Sequence, residues 1–167
     1  MQTPDREELI ITCAPADYDG VQPDLRRLLE QAAHSYHILC PGEPPLRVTS
    51  GRRSLREQAE TMAAMSPQQL LSLYSGGGCP QYIAAILHLE SVTPDAVYRI
   101  LCERREGYVS RHLGGQAVDI GAAGVTFPGA LKKILAEAGA GVKDERACGI
   151  SCFHLWLPGS TPIIVKE

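Results

Sequence analysis

The chain of 167 residues lacks several features that would assign it to a familiar class at once. No apolar run is long enough to span a membrane. With a formal net charge of -3, it lacks the basic excess of a nucleic-acid binder. Its N-terminus, Met1-Gln-Thr-Pro-Asp-Arg-Glu-Glu, is acidic and polar, unlike a signal peptide. The compartment therefore stays open: the chain is periplasmic or secreted if trimmed from a longer one, or is exported by another route, or stays inside. There is no internal repeat and no low-complexity tract. Gly76-Gly77-Gly78 is not followed by the lysine and hydroxyl residue of a phosphate loop. The six cysteines are scattered and include no Cys-x-x-Cys pair, so the chain is not a small disulfide scaffold.

What remains is a chain of ordinary apolar content and single-domain length, able to bury a real core. Leu9–Thr12 reads as a short strand or extended lead-in. Asp24 to Ala33, with Pro23 near its start, reads as an amphipathic helix whose stripe is Leu25, Leu28, Leu29 and Ala32. Leu46–Thr49 reads as a strand leading into Ser50-Gly51, which places Arg53 at a strand-to-loop exit. Ser54 and Glu57 form a capping box, opening a helix over residues 54–65. Further helices are expected from Ser66-Pro67 toward Tyr74, over Pro80–Glu90, and over Thr93–Arg105, the last with Thr93-Pro94 as cap and first position. Phe127-Pro128 opens one through Ala138, ended by Gly139. Pro162–Val165 reads as a short final strand. His34, His37 and His88 read as surface or packing histidines.

The densest chemistry lies in Ser110-Arg-His112-Leu-Gly-Gly115-Gln-Ala117-Val-Asp119. Gln116 to Ile120 alternates as a β-strand does, so Val118 and Ile120 share one face and Ala117 and Asp119 the other. Val118 and Ile120 suit the core. Asp119 then faces a cavity, where the small Ala117 leaves room for an ion. Gly114 and Gly115 permit a turn that folds His112 back toward Asp119. Imidazole and carboxylate both suit Zn²⁺, whose catalytic sites need a third protein ligand and an open position. His154 is the candidate third ligand. It alternates within Cys152-Phe-His-Leu-Trp-Leu157, which sends Phe153, Leu155 and Leu157 to the core and Cys152, His154 and Trp156 toward the metal.

These residues resemble the peptidase M15 family, which includes zinc D-Ala-D-Ala carboxypeptidases and dipeptidases and L-alanyl-D-glutamate endopeptidases. Hedgehog signalling domains share its fold. The Ser-x-His-x-x-Gly-x-Ala-x-Asp spacing from Ser110 to Asp119 matches the family pattern. Leu46-Arg-Val-Thr-Ser-Gly-Arg-Arg53-Ser54 is similar to its Ser-Gly-x-Arg-Ser strand end. Gln58 and the late His154 follow in order. The resemblance spans about residues 24 to 159 with a divergent middle. It implies one M15-like domain over 1–167, of the α+β class. A small, mainly antiparallel sheet would be flanked by helices, with a helical insert between the arginine and histidine motifs. That insert is either a packing element or a lid or wall limiting substrate size.

The resemblance further implies Zn²⁺ on His112, Asp119 and His154. Arg53 would be the catalytic, substrate-binding arginine, its planar fork matched to a carboxylate or carbonyl. Ser110 would donate to substrate, Trp156 would form a substrate wall, and the substrate would be a peptidoglycan-type peptide containing D-amino acids. Zinc would polarise the peptide carbonyl and activate water. The chain departs from the family where many members place an acid three positions before the last histidine: here it is Ser151. Glu145 is the alternative general base, able to reach the site only if Cys148-Gly149-Ile150 bends back. Without a base, the same fold would be an impaired enzyme or a non-catalytic zinc- or peptidoglycan-binding domain. Cys152 is either a fourth metal ligand that closes the site or a buried thiol.

Overall fold

The computed structural model describes residues 10–13, 18–74, 80–104 and 107–166. The glycine break at 76–78, Leu9 and Arg105 lie outside them. Among the described residues, five strands form one sheet in the order β1-β2-β3-β5-β4. They are β1 (Ile11–Cys13), β2 (Leu46–Ser50), β3 (Ala117–Gly121), β4 (Gly141–Asp144) and β5 (Cys152–Trp156). β1 pairs with β2 in parallel, and every other pairing is antiparallel. The helices are α1 (Pro23–Leu39), α2 (Leu55–Ala63), α3 (Pro67–Tyr74), α4 (Pro80–Leu87), α5 (Pro94–Glu103) and α6 (Pro128–Glu137). The architecture is α+β, as expected. No helix among the described residues is long and apolar enough to cross a membrane.

Two cores divide the labour. Val48, Val118, Ile120, Phe153 and Leu155 leave one face of the sheet and pack on Leu25, Leu28 and Leu29 of α1 and Leu131 and Leu135 of α6. The second core is built by the insert: Leu55, Ala59 and Met62 of α2 meet Leu70 of α3, Ile83 and Ile86 of α4, and Val97 and Leu101 of α5. Leu113, next to His112, joins this second core, so the insert packs directly against the metal motif. The alternation in β3 and β5 thus has the anticipated outcome, except that Leu157 is only half-buried, beyond the strand's end. At α2, the Ser54 side chain accepts from Glu57 N while the Glu57 carboxylate accepts from Ser54 N, completing the capping box. Thr93 caps α5 by accepting from Ala96 N.

Two elements depart from the sequence reading. β4 is an unanticipated edge strand, only four residues long and mostly polar. Pro162–Val165 is not a strand but an extended tail. Pro162 has no N–H to give a ladder, and the segment's backbone groups pair with side chains instead. Gln116 Nε2 donates to the Thr161 carbonyl at 2.7 Å, and Ile163 N donates to Gln116 Oε1 at 2.9 Å. The tail thereby straps the turn that carries His112.

Candidate metal centre

The antiparallel register of β3 and β5 sets Asp119 opposite His154, Ala117 opposite Trp156 and Gly121 opposite Cys152. Opposed residues share a face, so the alternation that buries Phe153 and Leu155 also brings His154 beside Asp119, away from the α1–α6 core. His112 arrives from a 3₁₀ turn, Arg111–Gly114, whose first amides are capped by the Ser110 hydroxyl accepting from His112 N. Gly115 closes this turn with φ +68°, and a Cβ there would stand 2.1 Å from the Gly20 carbonyl oxygen. Only glycine satisfies both conditions, which explains Gly115 in the motif.

The three side chains meet at one carboxylate oxygen. Asp119 Oδ1 lies 2.8 Å from His154 Nδ1 and 3.2 Å from His112 Nε2. His112 Nδ1 sits 2.7 Å from the Gly51 carbonyl oxygen. A carbonyl only accepts, so Nδ1 carries the hydrogen and the neutral ring turns its Nε2 lone pair toward Asp119. Burial lowers the His112 pKa, only partly offset by the nearby Asp119, and so favours that neutral form. Burial acts against the Asp119 carboxylate, but His112 and His154, when they carry a proton toward it, prevail and hold its pKa well below the usual range. Two acceptors facing one another across 3.2 Å need a cation or a proton between them. The cluster of His112, Asp119 and His154, with ligand atoms within 4.8 Å of one another, can hold a metal ion.

Arg53 supports this cluster rather than standing apart from it. A bulge between Val48 and Ser50 shifts the β2 register so that Ser50 pairs with Asp119, and beyond the strand Arg53 N donates to the His112 carbonyl at 3.0 Å. Its guanidinium donates to Asp119 Oδ2 at 3.0 Å, Ser50 Oγ at 2.9 Å and Gln58 Oε1 at 3.1 Å. Gln58 is fully buried and passes the network on, donating to the Tyr74 hydroxyl at 2.9 Å. Three of the five guanidinium N–H groups are thus engaged within the protein.

The segment after β4 does bend back. Glu145 begins a 3₁₀ turn, Glu145–Cys148, capped by Asp144 and closed by Gly149 at φ +79°. Ile150 N returns to the Glu145 carbonyl at 3.2 Å. The Glu145 carboxylate consequently lines the same cleft as the metal cluster and accepts from the Cys152 thiol at 3.1 Å. Ser151 is exposed, and its carbonyl accepts from Ala122 N. Cys152 groups with Asp119 and Glu145 rather than with the two histidines. Burial, with Asp119 and Glu145 nearby, pushes its thiol pKa up, which keeps it protonated and a poor ligand. Cys148 and Cys152 are not bridged to one another.

The cleft has a volume of about 410 Å³. It is lined by Ser110, Arg111 and His112 at the 3₁₀ turn, by Glu145, His154 and Trp156, and by Thr61, Met65 and Tyr74 of the insert. Trp156 packs its ring against His154, centroids 5.6 Å apart, and lies over Gly141, where a Cβ would come within 2.3 Å of the indole. Of the residues lining this cleft, Tyr74, Arg111 and Lys143 were not singled out from the sequence. The one available signal was the alternation Val142-Lys143-Asp144 after the Gly139 stop. No family model, curated protein or solved structure matches this chain.

Proposed function

We propose that the chain is a zinc-dependent peptidase of the M15 kind, cutting short peptides with D-amino acids such as those of peptidoglycan. The observation that carries this reading is the convergence of His112, Asp119 and His154 in a cleft that also holds the Glu145 carboxylate. Two imidazoles and one carboxylate leave an open position and suit zinc. When bound there, zinc supplies Lewis-acid polarisation of a carbonyl and acidifies water.

The chain's own groups do the rest. Gly51 fixes the His112 tautomer, and Arg53 holds Asp119 from behind through Oδ2, leaving Oδ1 toward the histidines. In hydrolysis, water adds to the peptide carbonyl carbon and the C–N bond breaks. Glu145 takes the proton that water loses and passes it to the departing amine, the role for which Ser151 is unsuited. Ser110 accepts from His112 N and retains its hydroxyl proton to donate to substrate. Trp156 forms the wall beside His154.

The test combines metal analysis of protein purified without chelators with cleavage of D-Ala-D-Ala and L-Ala-D-Glu peptides. One zinc per chain, lost in His112→Ala, and cleavage reduced roughly 10²–10⁴-fold in Glu145→Gln at unchanged zinc content is the expected result. Iron in place of zinc, or no metal at all, would overturn the assignment. Zinc without cleavage of either peptide would make the domain a binder.

A further inference from the structure

Lys143 stands in β4 opposite His154 in the antiparallel register. Opposed residues share a face with Cβ atoms about 5 Å apart, so the lysine stem leaves the sheet directly beside a metal ligand. Lys143 lines the cleft on that side. Its Nζ donates to the Ser72 carbonyl at 3.0 Å, in an exposed position. Among the described residues, no carboxylate pairs with it. The acids around it are already engaged: Asp119 with the histidines and Arg53, Asp144 with Lys132 and Arg146, Glu145 with Cys152. A cation beside the metal cluster therefore lacks an anionic partner among the described residues.

We infer that Lys143 is the anchor for a substrate carboxylate lying one residue beyond the scissile carbonyl. The preferred substrate is then a short peptide ending in a free carboxylate rather than an internal peptide bond. This rests on the peptidase reading and specifies its substrate. Lys143 and His154 are cross-strand neighbours on one face, so the lysine side chain borders the residue that lies next to the scissile bond in a bound peptide. An ammonium on a flexible four-carbon stem has three donors. It can turn from a single exposed carbonyl to an entering carboxylate, or hold both. The other two cations of the cleft suit this less: Arg53 is engaged by Asp119, Ser50 and Gln58, and Arg111 is fixed by two bonds to Ser160 and lies over the Tyr108 ring.

Calorimetric titration of zinc-loaded Glu145→Gln protein, in which turnover is slowed, tests the anchor. The probes are N-acetyl-D-Ala-D-Ala and its C-terminal amide. The free acid binds roughly 10–100-fold tighter, the range of one hydrogen bond to a charged group. Adding Lys143→Met removes that preference without weakening the amide, and Lys143→Arg restores most of it. Equal binding of acid and amide, binding of neither, or equal weakening of both by Lys143→Met overturns the anchor. The last result would make Lys143 only a latch on α3. Cleavage by the wild-type protein is read separately. Acid and amide cut at equal rates would sink the anchor and keep the peptidase; preferential binding without cleavage would do the reverse.

Discussion

The Cys152 thiol points its hydrogen at Glu145, 3.1 Å from Oε2, and not at the space between His112 and His154. One hydrogen bond therefore separates two readings of the same cysteine. A thiolate ligand would close the metal site, whereas a thiol donor steadies the carboxylate beside it and leaves the site open.

Replacing Cys152 with alanine decides between them. Metal content, read by elemental analysis, stays at the wild-type stoichiometry in Cys152→Ala. Peptide turnover falls by a few-fold as Glu145 loses its donor. Loss of the metal would show that the sulfur is a ligand.

Arg53→Met removes the guanidinium from Asp119 Oδ2 and from Gln58. Groups that orient a ligand from behind typically contribute 10–100-fold to metal affinity. A chelator competition titration should show weakening of that order, with the fold retained by circular dichroism. An unchanged metal affinity accompanied by a large rise in KM would instead make Arg53 a substrate contact alone.

Gly141→Ala forces a methyl against the indole of Trp156, where the built Cβ would lie 2.3 Å from a ring carbon. Overpacking of this kind costs about 1–3 kcal/mol. Thermal unfolding should therefore begin several degrees lower, and the fluorescence of Trp156, the single tryptophan of the chain, should shift as the ring moves. A melting point equal to wild type would mean that the strand edge gives way freely.

The turn that presents Glu145 carries a pH dependence. Asp144 accepts from Arg146 and Lys132, and these bonds, Arg146 first, hold its carboxyl well below the usual range despite partial burial. A carboxyl depressed in the folded state stabilises the fold above its unfolded pKa of about 3.9, and loses that contribution as pH falls below it. Melting temperature in the metal-free protein should decline below about pH 4, and Asp144→Asn should flatten part of that decline. An identical slope in the variant would place the acid-sensitive group elsewhere.

Much of the site was legible because strand alternation has a period of two. Once Val118, Ile120, Phe153 and Leu155 were assigned to the core, Asp119 and His154 had only one face to take. The capping box at Ser54 was equally local, and its helix starts where those two residues require. Glu145 was harder to place. Its arrival depends on β4 and on a turn closed at Gly149, and four half-buried, mainly polar residues give a weak strand signal. The tail at 162–165 misled for the opposite reason. Its apolar, β-branched composition suits a strand, but a ladder needs a neighbouring edge. Side chains of the ligand turn bond this backbone instead. The role of Arg53 as a brace of Asp119 was invisible in sequence, where the two stand 66 positions apart.

That separation has a consequence for the protein's life in a cell. Arg53, Asp119 and His154 come from β2's exit, β3 and β5, and no shorter piece of the chain unites them. Free energy of metal capture is then free energy of completed folding. On the proposed metal-binding reading, a chain without the ion would spend more time open and be removed faster by proteases. Its abundance would then follow the local supply of metal.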